Sequence, residues 1–258
     1  MISSLPLPDV PPYVLYVVPF VILLGYTIFG ATGFGSSIIS VPVLSHFLPL
    51  TFTVPLVTVT DAFASASTVI RLRRLVAWRE FARLVPAMLI GIALGGTLLL
   101  NLPHAPALLA LGVFVTSYGA YVIFGPRTLA QAPAWLAWPI GVVGGIFSTL
   151  FGTGGPIYIV FLSARIEDKS RLRATAAIVV VVAVWVRLAL FVATGLLLNT
   201  RLLTLVALLL PLIALGLWLG NRLHHALSRG GVLRLIAALL VINGVVLIAR
   251  TIEAMRAG

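Results

Sequence analysis

Two ionisable side chains stand deep inside apolar runs, where a buried charge demands a reason. Arg187 lies between the runs 179–184 and 188–192, and Asp61 lies within the run 51–70. A guanidinium at membrane depth costs at least ~2.5 kcal/mol on insertion scales, so it must face a partner or a wet cavity. Its planar fork suits the oxygens of a sulfonate, a sulfate-like group or a carboxylate. The plain alternative is an arginine that snorkels or bonds a structural carbonyl. Asp61 carries three readings: a proton-coupling carboxylate, a partner for Arg187, or a helix-end acid satisfied by neighbouring Ser and Thr hydroxyls.

Small residues interrupt two further apolar stretches, Gly30-Ala31-Thr32-Gly33-Phe34-Gly35-Ser36-Ser37 and Phe151-Gly152-Thr153-Gly154-Gly155-Pro156. Glycine tolerates non-helical angles and removes the side chain that would hold a ligand away from the backbone. A break in a membrane helix also frees amide N–H groups, and the half-helix that follows aims its positive dipole end at the gap. Half-helices are expected to start at Ser36-Ser37 and at Gly155-Pro156, with proline in the first turn. The substrate-binding set expected from these stretches is Thr32, Gly35, Ser36, Ser37, Gly152, Thr153, Gly154 and Gly155, joined by Arg187, with Asp61 as a coupling residue. The competing reading is that the glycines only let helices pack closely.

The elements that must position these groups follow from composition. Hydrophobic residues make up 61% of the 258 and charged residues 9%, which excludes an ordinary soluble domain. Apolar runs repeatedly exceed the ~18 residues that cross a bilayer core. Membrane segments are expected at 10–29, 35–47, 51–70, 84–100 and 106–124, then at 134–150, 156–164, 174–198, 202–220 and 232–248. All should be helical, because backbone groups in hydrocarbon must be satisfied within their own segment. The runs 108–115 and 178–183 lack the dyad alternation of a β-barrel. The short pieces 35–47 and 156–164 suit half-helices or re-entrant segments. The first run has no basic flank and no small-residue cleavage site, so a cleaved signal peptide is not expected.

The chain also repeats. Pro86, Gly91 and Gly95 recur as Pro211, Gly216 and Gly220, and Gly119 as Gly244, each 125 residues later. One transporter domain over 1–258 is expected, with repeat 1 at 10–124, a Pro- and Gly-containing linker at 125–133 and repeat 2 at 134–250. Charge decides how the repeats relate. An even number of crossings per half would split the arginines between both membrane faces, against the positive-inside tendency. An odd number, taken as five, gathers the basic residues at 71–83, 127, 165–173 and 222–229 on the cytoplasmic side and inverts the second repeat. Arg201, Arg250 and Arg256 then fall on the opposite side. Paired, interrupted segments in matching positions of two halves point to a transporter's central site.

Several functions are excluded. The net charge of +11 comes almost entirely from arginines between apolar runs, with no basic face bearing stacking aromatics, so no nucleic-acid binding is expected. Zero cysteines exclude disulfides and thiolate metal sites. His46, His104, His224 and His225 all read as loop residues, so no metal site, cofactor or proton relay is assigned to them. No Ser/His/Asp set, carboxylate pair or phosphate-binding lysine motif appears, and the chain is not expected to be an enzyme.

On these residues the chain resembles the TauE/SafE family, described as sulfite exporters or probable membrane transporters. The family hallmark is a glycine-rich segment in each half of the form Gly-x-Gly-Gly-Gly-x4-Pro. The first copy here is Gly33-Phe34-Gly35-Ser36-Ser37-Ile38-Ile39-Ser40-Val41-Pro42, with serines replacing two glycines; the second is Gly152-Thr153-Gly154-Gly155-Pro156. Residues 69–74 and 173–175 also look like family. The resemblance covers nearly the whole chain and implies transport of sulfite, a sulfonate such as sulfoacetate, or a related organic anion. The expected partners are that small anion and the lipid bilayer, with a homodimer left open, and the expected location is the inner (plasma) membrane. A passive anion channel and a non-transporting partner subunit are the competing readings.

Overall fold

The computed structural model describes residues 14–32, 35–66, 73–124, 132–223 and 229–257. Expectations that fall on Val10, Gly33, Phe34, 67–72 with Arg71, 125–131 with Arg127, and 224–228 with His224 and His225 lie outside the described residues. So do the side chain of Thr32 and those of 229–236. Among the described residues the fold is all-helical, with ten α-helices and no strand.

The helices are α1 (Val14–Thr32), α2 (Ser36–Leu44), α3 (Leu50–Ser65), α4 (Trp78–Asn101), α5 (His104–Phe124), α6 (Ala137–Phe151), α7 (Gly154–Ser163), α8 (Lys169–Ala193), α9 (Thr200–Leu223) and α10 (Arg229–Ala257). Among the described residues, six helices are long and apolar enough to cross a membrane: α4, α5, α6 with its preceding turn, α8, α9 and α10. Their outward faces carry large apolar side chains such as Leu94, Val113, Trp218 and Ile242, which suits lipid as the solvent. The nine residues of α2 and ten of α7 reach only ~15 Å at ~1.5 Å per residue, about half of a bilayer core.

Helix starts differ from the sequence expectation in two informative places. α8 begins at Lys169 instead of 174 because Asp168 caps it, its carboxylate accepting the Arg171 N–H at 2.7 Å. α4 begins at Trp78 instead of 84 because its first turns are amphipathic. Trp78, Arg79 and Arg83 stay at the surface or partly so, while Glu80 and Leu84 turn inward. Glu80 is therefore a second buried acid on a helix, where the sequence pattern left only Asp61. Two arginines hold it: Arg165 Nε donates to Oε2 at 2.6 Å and Arg83 Nη1 to Oε1 at 2.6 Å.

These ion pairs also fix which loops share an end of the molecule. The loop after α7, through Arg165, meets the start of α4, and the Ala77 N–H donates to Thr175 Oγ1 of α8 at 2.9 Å. The basic segments before α4 and before α8 thus lie side by side. At the other end, the loop 45–50 shares a cavity with Leu99–Leu102 and His104. Pro49 and Thr51 likewise lie near Gly195–Arg201. Arg250 acts electrostatically on His46, which puts the C-terminal half of α10 at this weakly charged end.

Two helix pairs are hairpins. In α6–α7, Arg165 Nη1 beyond α7 donates to the Ala132 carbonyl before α6 at 2.6 Å, so α7 returns to the end from which α6 set out. In α1–α2, a methyl placed at Gly25 would lie 3.3 Å from the Ser36 carbonyl and against the Ser40 hydroxyl, so α2 folds back along α1. Each hairpin's longer arm packs on a helix of the other half, α1 against α9 and α6 against α4. Glycines make both crossings. Gly30 faces Leu217 and Gly220 at the first, and Gly145 faces Met88, Gly91 and Ile92 at the second. The buried apolar residues form two clusters: one gathers α1–α3, α5, α9 and α10 together with Leu99 of α4, Leu150 and Phe151 of α6 and Phe191 of α8, and the other gathers residues of α4, α6, α7 and α8.

A methyl at Gly145 would lie against the Met88 carbonyl and 2.7 Å from the Ile92 nitrogen, with backbone on the far side unable to yield. Gly145→Ala should therefore cost about 1–3 kcal/mol of overpacking, read as a lower Tm in detergent. Gly155→Ala, whose added methyl meets only Val180 Cγ2 at 3.3 Å, should leave Tm nearly unchanged.

Candidate functional site

The tips of the two hairpins touch. Gly35 precedes α2 at φ 102°, and Gly152 ends α6 at φ 71°, both in the left-handed region that favours glycine. These angles reverse the chain within two or three residues. A methyl at Gly152 would sit 2.8 Å from Ser37 Cβ and 3.5 Å from Arg187 Nη1. Gly35, Ser36, Ser37, Asp61, Gly152, Gly155 and Arg187 accordingly line one cavity of about 30 Å³. Phe29, Ile38, Pro156, Val180, Val181 and Val184 are among its apolar walls.

Each charge in the cavity opposes a helix end. Arg187 is 2% exposed on α8. Its Nη1 donates to the Ser148 carbonyl in the last turn of α6, and its Nε donates to the Ala183 carbonyl at 3.3 Å. A helix C-terminus carries partial negative charge, so the guanidinium is well placed there. Asp61 is 4% exposed on α3 and stands against the start of α2. Its Oδ1 accepts the hydroxyls of Ser36 at 2.6 Å and Tyr26 at 2.7 Å, and its Oδ2 accepts that of Ser37 at 2.6 Å. Carboxylates near a helix N-terminus are likewise favoured.

Of the three readings of Asp61, the direct ion pair with Arg187 does not form. Among the described residues the ion pairs are those of Glu80 with Arg83 and Arg165. Asp61 and Arg187 instead face one another across the cavity, each held by a hairpin tip. Hydrogen bonds of Arg187 to described residues use Nε and Nη1, leaving Nη2 for whatever occupies the cavity.

The expected binding set is only partly brought together. Thr153 and Gly154 are not on the cavity wall. A methyl at Gly154 would meet the Gly144 carbonyl at 2.6 Å and Ser148 Cβ at 2.7 Å, so this glycine serves the packing of α7 on α6. Thr153 is fully buried with its hydroxyl unpaired. Ser36 and Ser37 do line the cavity, but their hydroxyls are engaged by Asp61. Tyr26 and the Ser148 carbonyl were not anticipated. A phenol inside an apolar run was the available signal for Tyr26; nothing in sequence marks which backbone carbonyl an arginine will find.

Two larger hollows flank the site at opposite ends. One of about 520 Å³ is lined by Ser45, His46, Pro49, Leu99, His104 and Leu150, two residues before Gly152. Burial, followed by the nearby charge of Arg250, holds His46 below the usual imidazole range. The other, about 510 Å³, lies at the mouth of the α6–α7 hairpin between Ala132 and Glu167.

Comparison with known proteins accords with this architecture. The Sulfite exporter TauE/SafE family matches residues 18–247, nearly the whole chain. The chain belongs to this family. Among curated TauE/SafE-like proteins it is similar to the "Probable inner membrane transporter protein TsaS" of Comamonas testosteroni. The two are 29% identical over 172 residues, covering 66% of this chain and 72% of that one. No solved structure matches the chain. As a TauE/SafE protein it is a multi-pass membrane transporter. None of these comparisons supports the homodimer left open by the sequence.

Gly152→Ala combines two faults, a left-handed backbone angle that costs ~1–2 kcal/mol for a residue with a Cβ and a clash with Ser37. The variant should show a lowered Tm and lose the stabilisation any bound anion confers, measured by thermal shift.

Proposed function

We propose that this TauE/SafE protein is a secondary transporter that moves a small sulfur-containing anion, sulfite or a sulfonate, by alternating access. The contact between Gly152 and Ser37, with Arg187 alongside, carries the reading. It puts two helix breaks and one buried cation on a single cavity. An anion there would meet the free edge of the guanidinium and the amides that open α2 and α7, donors that a helix start leaves without intrahelical partners. A cavity of about 30 Å³ admits a water or two, so a sulfonate requires the tips to part.

The two halves fit inverted repeats. With α1–α2 and α6–α7 as re-entrant hairpins, each half crosses three times, through α3–α5 and α8–α10. The sequence expectation of five crossings counted the hairpin arms. Three is also odd, so the second half is still inverted, and the two hairpins enter from opposite sides. The packing of α1 on α9 and of α4 on α6 is what exchanging the halves would produce.

Orientation can be read by thiol labelling, since the chain has no native cysteine. Glu167→Cys should react with a membrane-impermeant maleimide only from the cytoplasmic side and Thr51→Cys only from outside; labelling of both from one side would end the inverted reading. Binding can be read by thermal shift against sulfite, sulfoacetate, taurine, sulfate and simple carboxylates. At least one sulfur anion should raise Tm, and Arg187→Gln should abolish that rise. Because anion binding there relies on a charged hydrogen bond worth about 1.5–3 kcal/mol, the variant's affinity should fall at least tenfold. Unchanged affinity would remove Arg187 from the site.

A further inference from the structure

We propose that Asp61 is the proton-coupling group of this transporter, because it and the transported anion compete for the same donors, the hydroxyls of Ser36 and Ser37 and the charge of Arg187. The inference rests on the anion site proposed above and concerns what drives it.

Three hydroxyls converge on Asp61, all from the hairpin α1–α2: Tyr26 and Ser36 on Oδ1 and Ser37 on Oδ2, at 2.6–2.7 Å. An ionised carboxylate only accepts, so this geometry commits both serine donors to Asp61. Those serines form the first turn of α2 and line the cavity where an anion would sit. Arg187 from α8 and Tyr26 from α1 both interact electrostatically with Asp61. α2 and α6 carry no ionisable side chain. Those of α4 and α9 stand near helix ends, Arg79, Glu80 and Arg83 on one and Arg201 and Arg222 on the other.

Without the anion, Asp61 and Arg187 balance each other across the cavity with no direct ion pair. A bound anion makes two negative charges share one guanidinium in a space of about 30 Å³, where low dielectric magnifies repulsion. Placing a proton on Asp61 restores neutrality. It also releases at least one of the two serines, since the new O–H stands where a hydroxyl donated before. The proton comes from water on the side to which the site is open and adds to a carboxylate oxygen as the anion binds. On the far side the anion leaves, Asp61 loses its proton to water, and the serines close on the carboxylate again. One proton therefore accompanies each monoanion.

Methanesulfonate, a monoanion at every accessible pH, is the probe. Purified wild-type protein in weak buffer with a pH dye should take up about one proton per methanesulfonate bound, and its affinity should fall about tenfold per pH unit on the alkaline side. Asp61→Asn should bind methanesulfonate with pH-independent affinity and no proton uptake. Binding by wild type without proton uptake, or uptake that persists in Asp61→Asn, overturns the proposal. A second arm needs no ligand. Arg187→Gln removes the cation that lines the cavity with Asp61, and the infrared spectrum of this variant at pH 7 should gain a protonated-carboxyl band that Asp61→Asn/Arg187→Gln lacks. Arg187→Met serves where Arg187→Gln fails to fold. Absence of that band overturns the assignment of Asp61. Failure of methanesulfonate to bind wild type counts against the anion site, with the infrared arm still deciding Asp61.

Discussion

A helix that stops inside a membrane leaves up to four N–H or C=O groups with no water to satisfy them, and everything at the centre of this protein answers that constraint. The carbonyl end of α6 meets Arg187, and the start of α2 meets Asp61. Each buried charge thus stands against a helix end of the sign that favours it. The two charges are thereby held apart on facing walls, which leaves a polar gap where a direct ion pair would have filled it.

Holding two hairpin tips in contact requires rigid arms, and glycine supplies them by close approach. Gly30 and Gly220 let α1 and α9 meet backbone to backbone; Gly91 and Gly145 do the same for α4 and α6. Each arm is thus fastened to a helix of the opposite half, while the tips touch chiefly through Ser37 and Gly152. At the basic end of this arrangement, Glu80 ties the mouth of the α6–α7 hairpin to α4 through Arg165. No comparable ion pair is described at the other mouth, between Ser45 and Pro49.

Much of this was legible in sequence, and the rest was not for identifiable reasons. The glycine-rich interruptions and the deep Arg187 could be read because each violates the composition of the run around it. Gly91 and Gly216, which recur 125 residues apart, each stand at a helix crossing, α4 on α6 and α9 on α1. Sequence alone could not say which segments pass through the membrane, because apolarity reports immersion in lipid; the Arg165–Ala132 hydrogen bond shows that α7 returns toward the start of α6. Glu80 was missed because apolar runs mark where a helix is immersed, while α4 begins six residues earlier on an amphipathic turn. Thr153 and Gly154 share the motif of Gly152 and Gly155 but point elsewhere, since adjacent helical residues face different directions.

The most direct measurement is an experimental structure of the protein with a sulfur anion bound. The account predicts the anion's oxygens within hydrogen-bonding distance of the Arg187 guanidinium, between the Gly35–Ser37 and Gly152–Gly155 tips, with the tips farther apart than their present contact. An anion bound away from both tips, or tips that face lipid with no space between them, would contradict it.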